Sequence, residues 1–267
     1  MDSAPAARYV AVRSASPKLA RRMSEKLWYL KRCDLFERLS DEELRRLESY
    51  SRLRKFPRNS PIYLPAEEAD AVLVLASGRV KIGSFTSEGK QAILAFIEPG
   101  EIFGELALFG EARREEYAEA IEPSVVILIP RTEMQRLMET HAGVSLGVTK
   151  LIGLRRRRVE RRLKYLLFRS NRERTVHLLL ELAEQYGRET PEGVLVDIKL
   201  SHQDLANVIG STRETVTVVL GELQAEGFLK LGRRKIVITR MGPMAASVEA
   251  TPPRLAGRRP LAVQPDP

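Results

Sequence analysis

The sequence is poor in the residues that most often carry redox and metal chemistry. It has one cysteine, Cys33, among 267 residues, which excludes an intrachain disulfide and a cysteine-ligated iron–sulfur cluster. A lone cysteine reads as a partly buried structural side chain, with a reactive thiol as the alternative. The three histidines, His141, His177 and His202, are scattered, so no metal centre, haem ligand set or other cofactor is expected. No apolar run approaches the roughly 18 residues of a membrane span. The N-terminus has no apolar signal-peptide core, so a cytoplasmic location without a membrane partner is expected. Phosphate-binding glycine loops, metal-ligand spacings and nucleophile elbows are missing too, and no enzymatic activity is expected.

What abounds is positive charge. The formal net charge is +9, and it is localised. Between Gly153 and Thr175 stand nine arginines and Lys164, against only Glu160 and Glu173. Such a belt attracts a polyanion and speeds its approach, unless it is merely a solvated helix face. The length allows about two domains. Residues 1–25, rich in Ala, Ser and Arg, read as a flexible arm, and Lys26–Leu53 has helical apolar spacing with Ser40-x-x-Glu43 as a capping box. From Phe56 to Pro130 short β-rich runs alternate with turn residues, as in a small antiparallel barrel or jelly roll.

A short helix over Arg131–His141 closes that unit, 26–141. A long helix follows over 142–169. Val148, Ile152, Val159 and Leu166 fall near a 3.5-residue seam interrupted by Arg155 and Arg162, which predicts a dimer contact through these six residues, with packing on its own domain as the alternative. Ser170 can cap the next helix, with Leu179, Leu182, Ala183 and Tyr186 buried. Residues 243–267, rich in Pro and Ala, read as a disordered tail.

The segment Leu200–Arg240, within a unit over 170–242, is the most specific. Ser201 with Asp204 forms a shortened capping box, and Leu205, Ala206 and Ile209 give a short apolar face. Gly210 supplies a left-handed turn, after which Ser211 or Thr212 caps a second helix. Val216, Val219, Leu220 and Leu223 line one side of that helix and must be buried. Its leading face shows Arg213, Glu214, Thr215 and Thr217. Two helices joined in this way place the second in the major groove. There Arg can bond guanine O6 and N7, Glu can accept from cytosine N4, and Thr can meet a thymine methyl or a phosphate. Phe228–Leu231 and Lys235–Thr239 read as two strands around Gly232-Arg233-Arg234, a basic wing for the phosphate backbone. The expected double-stranded DNA contacts are therefore Ser201, Gln203, Ser211, Thr212, Arg213, Glu214, Thr215, Thr217, Arg233, Arg234 and Lys235.

The order barrel, long helix, winged helix-turn-helix gives an α+β chain that resembles the CRP/FNR superfamily of bacterial transcription regulators. Ala76-Ser77-Gly78-Arg79-Val80-Lys81-Ile82 and Ile97–Leu108 look like the cyclic-nucleotide-binding barrel. Ser211-Thr212-Arg213-Glu214-Thr215-Val216 looks like the family's recognition helix. The resemblance implies a homodimer reading a palindrome, with half-sites about 34 Å apart, and RNA polymerase as a further partner. It also implies a nucleotide pocket at Gly104, Glu105, Leu106, Arg114, Glu115, Val159 and Glu160. Here Glu115 stands where the family has a hydroxyl for the phosphate, and Val159-Glu160 replaces a Thr-Ser pair that meets the purine. A carboxylate facing a phosphate is repulsive, so the chain is expected to act without cyclic AMP, with Glu105 and Arg114 pairing in an empty pocket. The alternative is gating by a cyclic mono- or dinucleotide or another effector, at the barrel or the basic helix. Where the family often has a second recognition-helix Arg, this chain has Val218.

Overall fold

Two short helices lead into the structure, a computed structural model that describes residues 24–110 and 113–255. Helix α1 (Glu25–Lys31) is capped by Ser24, and α2 (Asp41–Tyr50) by Ser40. The Ser40 and Glu43 side chains form the reciprocal capping box. Helix α1 thus takes Glu25 from the expected arm, whose residues 1–23 lie outside the described residues. Leu53, read as helical, instead sits in the first strand.

Eight strands follow in chain order: β1 (Arg52–Phe56), β2 (Pro61–Tyr63), β3 (Ala71–Ser77), β4 (Val80–Phe85), β5 (Gln91–Ile97), β6 (Ile102–Phe103), β7 (Tyr117–Ala120) and β8 (Ser124–Pro130). They form two antiparallel four-stranded sheets, β1-β8-β3-β6 and β2-β7-β4-β5. Leu73 and Leu75 of β3 face Val80, Ile82 and Ile97 of the other sheet. Val72 and Val74 face the opposite way, onto Leu30, Phe36 and Leu47 of the helical cap. Burial on both sides explains why β3 reads as a continuous apolar run without alternation. Cys33 is buried in that cap, and burial pushes its thiol up to about 12, so it serves as a small packing residue.

Helix α3 (Arg131–Thr140) packs on the first sheet, and the 27-residue α4 (Ala142–Phe168) follows. The residues expected to form the α4 seam also have neighbours within the chain. Val148 is wholly buried in its own domain, with Ile152 packed beside it. Arg155 pairs with Glu105 at 2.6 Å, and Arg162 donates to Leu94 O at 2.8 Å. Val159 and Leu166 are partly exposed, and Leu166 abuts Gly210. The seam residues therefore largely serve the chain's own packing. The apolar groups α4 leaves exposed are Leu146, Leu154, Leu163, Leu167 and Phe168, along with Val159 and Leu166.

The C-terminal unit begins with α5 (Asn171–Tyr186), capped by Ser170. Strands β9 (Gly187–Thr190) and β10 (Gly193–Val196) lead to α6 (His202–Ile209) and α7 (Arg213–Ala225). Strands β11 (Leu229–Gly232) and β12 (Lys235–Ile238) complete a third sheet of order β11-β12-β10-β9. The tail reading is corrected in its first part. Met241–Ala246 is a helix, α8, with Met244, Ala245 and Val248 buried against the core. Pro243 sits in its first turn, where a missing amide costs no helical bond. Residues 256–267 lie outside the described residues.

Candidate nucleic-acid interface

Helix α6 starts on the predicted box, with Ser201 Oγ accepting from Asp204 N and the Asp204 carboxylate accepting from Ser201 N. It ends at Gly210, whose φ of 63° is left-handed, where a β-carbon would also meet Leu166 at 2.9 Å. Of the two candidate caps for α7, Thr212 takes the role, accepting from Thr215 N. Its hydroxyl also bonds that of Thr215 at 2.9 Å. Val216, Val219, Leu220 and Leu223 are buried as their spacing requires, while Arg213, Glu214 and Thr217 are exposed on one surface. Gln203 is exposed beside them, bonded to Asn207. Ser211 is half-buried.

His202, which sequence reasoning passed over, belongs to this surface. Its Nδ1 lies 2.8 Å from Thr217 Oγ1, which in turn donates to Arg213 O at 2.8 Å. The only signal was its place directly after the cap of α6.

The wing is the turn between β11 and β12. Arg233, Arg234 and Lys235 are all exposed at its tip. Arg234 has φ 54°, a conformation that L-residues other than Asn, Asp and Gly avoid at about 1–2 kcal/mol. A strained arginine at an exposed tip presents its charge away from the fold.

The basic belt is only partly free. Arg156 pairs with Glu160, Arg162 with Glu181, Arg169 with Glu173, and Arg172 with Glu222 and Glu226. Arg174 donates to Ile209 O at 2.9 Å and so ties α5 to the end of α6. Arg157, Arg161 and Lys164 form no ion pair among the described residues. Much of the charge counted in the sequence therefore holds helices together.

Of the expected nucleotide-pocket residues, Glu105 and Arg114 are committed to bonds within the fold. Gly104 starts a 3-10 turn over Glu105–Phe109 with φ 66°. Arg114 is buried, donating to Gly104 O at 2.9 Å and to Ala71 O, with its guanidinium 4.5 Å from the Tyr63 ring. Glu105 does not pair with Arg114, as the sequence suggested. It takes Arg155 of α4, which also donates to Ile102 O at 2.6 Å. Tyr63 donates to Glu116 at 2.7 Å, and burial raises the Glu116 carboxyl. Glu115 and Leu106 are exposed and line the small space beside Arg114, and Val159 and Glu160 are exposed on α4. The space beside Arg114 is about 10 Å3, room for about one water.

The reader is also fixed to the barrel. Lys81 of β4 sits between Glu119 at 3.1 Å and Asp204 at 3.3 Å. Arg79 pairs with Glu98, donates to Asp197 O at 3.2 Å and lies over Tyr186. Ile93 and Phe96 of β5 join the core of the C-terminal unit.

Known proteins share this arrangement. Residues 53–141 match the family model for a cyclic nucleotide-binding domain, and 173–246 the model for a Crp-like helix-turn-helix domain. The chain is 31% identical over 203 residues to a cyclic AMP receptor protein of Thermus thermophilus, spanning 76% of this chain and 91% of that protein. It is 30% identical over 198 residues to a global nitrogen regulator of Synechocystis, spanning 73% and 87%. A solved CRP/FNR-family regulator from Thermus thermophilus superposes with a TM-score of 0.61 at 28% identity, covering 74% of this chain and 99% of that one. These relatives are regulators and not enzymes, and no helix among the described residues is long and apolar enough to cross a membrane. An exposed reading helix, a basic wing and a nucleotide-type barrel on one chain, with relatives of this extent, place it in the CRP/FNR family of DNA-binding transcription regulators.

Proposed function

We propose that this chain is a homodimer that reads palindromic promoter DNA in the cytoplasm without cyclic AMP, with RNA polymerase as its downstream partner. The observation that carries the reading is the contrast between its two sites. The reading surface of α7 is exposed, whereas the pocket's two ligand-type side chains are committed to the fold, Glu105 to Arg155 and Arg114 to two carbonyls. A cyclic nucleotide would have to displace these bonds. The dimer contact is placed on the exposed α4 face of Leu146, Leu163, Leu167 and Phe168, and each protomer presents one α7 to one half-site. Recovery of bound DNA from a random pool, with and without cyclic AMP, tests it. The expected product is one palindrome, enriched equally in both arms. A non-palindromic product, or enrichment only with cyclic AMP, overturns it.

A second reading is favoured by a cleft of about 780 Å3 between α4, α5 and the segment after α8. Arg161, Lys164 and Arg169 line it beside Tyr165 and His177, whose rings stack at 4.3 Å. Cations beside an aromatic stack suit a phosphate-bearing effector such as a cyclic dinucleotide. Calorimetry with such nucleotides tests this, and no heat would dismiss it.

A further inference from the structure

Val218 is 61% exposed, while every other valine and leucine of α7 is 6% exposed or less. A single exposed apolar residue means little on its own. This one sits among the groups that face DNA, and its neighbours share its character. Three residues on stands Gly221, where a β-carbon would meet nothing within 4 Å. Seven on stands Ala225, also exposed. Val218, Gly221 and Ala225 thus form a low apolar strip, with Glu222 beside it drawn toward Arg172 at 3.6 Å.

Thr217 adds to that strip through its hydrogen bonds. A threonine hydroxyl has one proton. Here it lies on Arg213 O at 2.8 Å, so the 2.8 Å contact with His202 is a bond donated by Nδ1–H. With its proton committed, Thr217 cannot donate to guanine O6 or N7, adenine N7 or thymine O4. Its methyl group remains, next to Val218. His202 holds this rotamer from the neighbouring helix.

Resting on the DNA-binding reading above, we infer that Val218 and the Thr217 methyl form a reader for the C5 methyl of a thymine, one in each half-site. The major groove offers apolar recognition chiefly at that methyl, since the other base-edge groups are hydrogen-bond donors and acceptors. Arg213 and Glu214, one turn earlier, are suited to a guanine and a cytosine. The half-site is then a G/C-reading segment followed by a thymine, with His202 as the positioning residue for its reader.

The test uses the full-length protein and the DNA recovered by selection. Each thymine of the half-site is replaced singly by deoxyuridine, which removes the C5 methyl and leaves the hydrogen-bonding edge intact. At one position the wild-type protein is expected to bind about fourfold more weakly, the factor that burial of one methyl group contributes. Val218→Ala, and separately Thr217→Ser with its hydroxyl kept, are expected to bind the thymine and uracil forms more nearly alike. Specific binding that tolerates uracil throughout, a half-site without thymine, or discrimination undiminished in both variants overturns the inference. Failure to bind any DNA specifically overturns the DNA-binding reading itself, which keeps the two failures distinct.

Discussion

Lys81 Nζ lies 3.3 Å from Asp204 Oδ1, joining the second strand sheet to the carboxylate that caps the first helix of the reader. One residue thus caps a helix and docks a domain. Lys81 is itself 8% exposed and also holds Glu119. Lys81→Met leaves Glu119 and Asp204 partly buried around a site with no cation. Removing one partner of a fully buried pair costs about 3–5 kcal/mol. These carboxylates keep some solvent, so about 2 kcal/mol is expected, a fall of several degrees in Tm. Thermal unfolding by circular dichroism checks this, and an unchanged Tm would show that the contact contributes little in solution.

Arg213→Ala tests the reader itself. Its guanidinium is exposed and carries no structural ion pair among the described residues, so folding and assembly are expected to survive. Loss of a bidentate base contact costs about 1–3 kcal/mol per half-site, enough to reduce specific binding toward the nonspecific level. Fluorescence anisotropy on the selected palindrome measures it, and unchanged affinity would remove Arg213 from base contact.

The wing is expected to behave differently. Arg233 and Arg234 stand at an exposed tip, where each phosphate contact adds about 0.9 to the slope of log K against log salt. Replacing both by Gln should flatten that slope by about 2 per wing and weaken all sequences alike. A changed base preference would instead give the wing a reading role.

Much of this architecture was legible because it is written in local rules. The caps Ser40, Ser170 and Ser201, the left-handed Gly210 and the four buried positions of α7 each follow from spacing and side-chain type. The α4 seam was harder. An apolar stripe says that a face is covered but not by what, and Val148 with Ile152 is covered by the chain's own cap. The arginines misled for a related reason. Charge can be counted from sequence, but the partners Glu105, Glu181 and Glu226 lie tens of residues away from Arg155, Arg162 and Arg172, or on another element. Strands β9 and β10 were missed because they are short and mostly half-exposed, with Arg188, Glu189 and Thr190 in the first. His202 was missed because its role depends on Thr217, fifteen residues on.

His177 predicts a pH dependence. Burial and nearby Arg169 lower its pKa below the usual 6.5, while Glu173 acts the other way. The ring also stacks on Tyr165 and faces the cleft that holds Arg161, Lys164 and Glu181. With the folded pKa depressed, the unfolded chain takes up the proton first as pH falls. This contribution to stability is therefore full above about pH 6.5 and is lost below it. His177→Phe keeps a ring for the stack and removes the titration. Its Tm is expected to fall less steeply than wild type between pH 7 and pH 5, and parallel curves would assign the acid limb to other groups.

The dimer face can be separated from the core face of the same helix. Leu163 and Leu167 lie four residues apart, both exposed, while Val148 is wholly buried, about four to five turns earlier on the helix. If the exposed face pairs two protomers, Leu163→Lys together with Leu167→Lys places four like charges in a two-helix contact without touching the chain's own core. The expected product is a folded monomer, seen as a halved mass by analytical ultracentrifugation with an unchanged circular dichroism spectrum. Its DNA affinity is expected to collapse, because one protomer engages only one half-site and loses the gain of linked binding. Val148→Lys is expected to act oppositely, destabilising the fold by burying an unpaired charge. A double variant that remains dimeric would return the interface to Val159 and Leu166, the partly exposed remainder of the original seam.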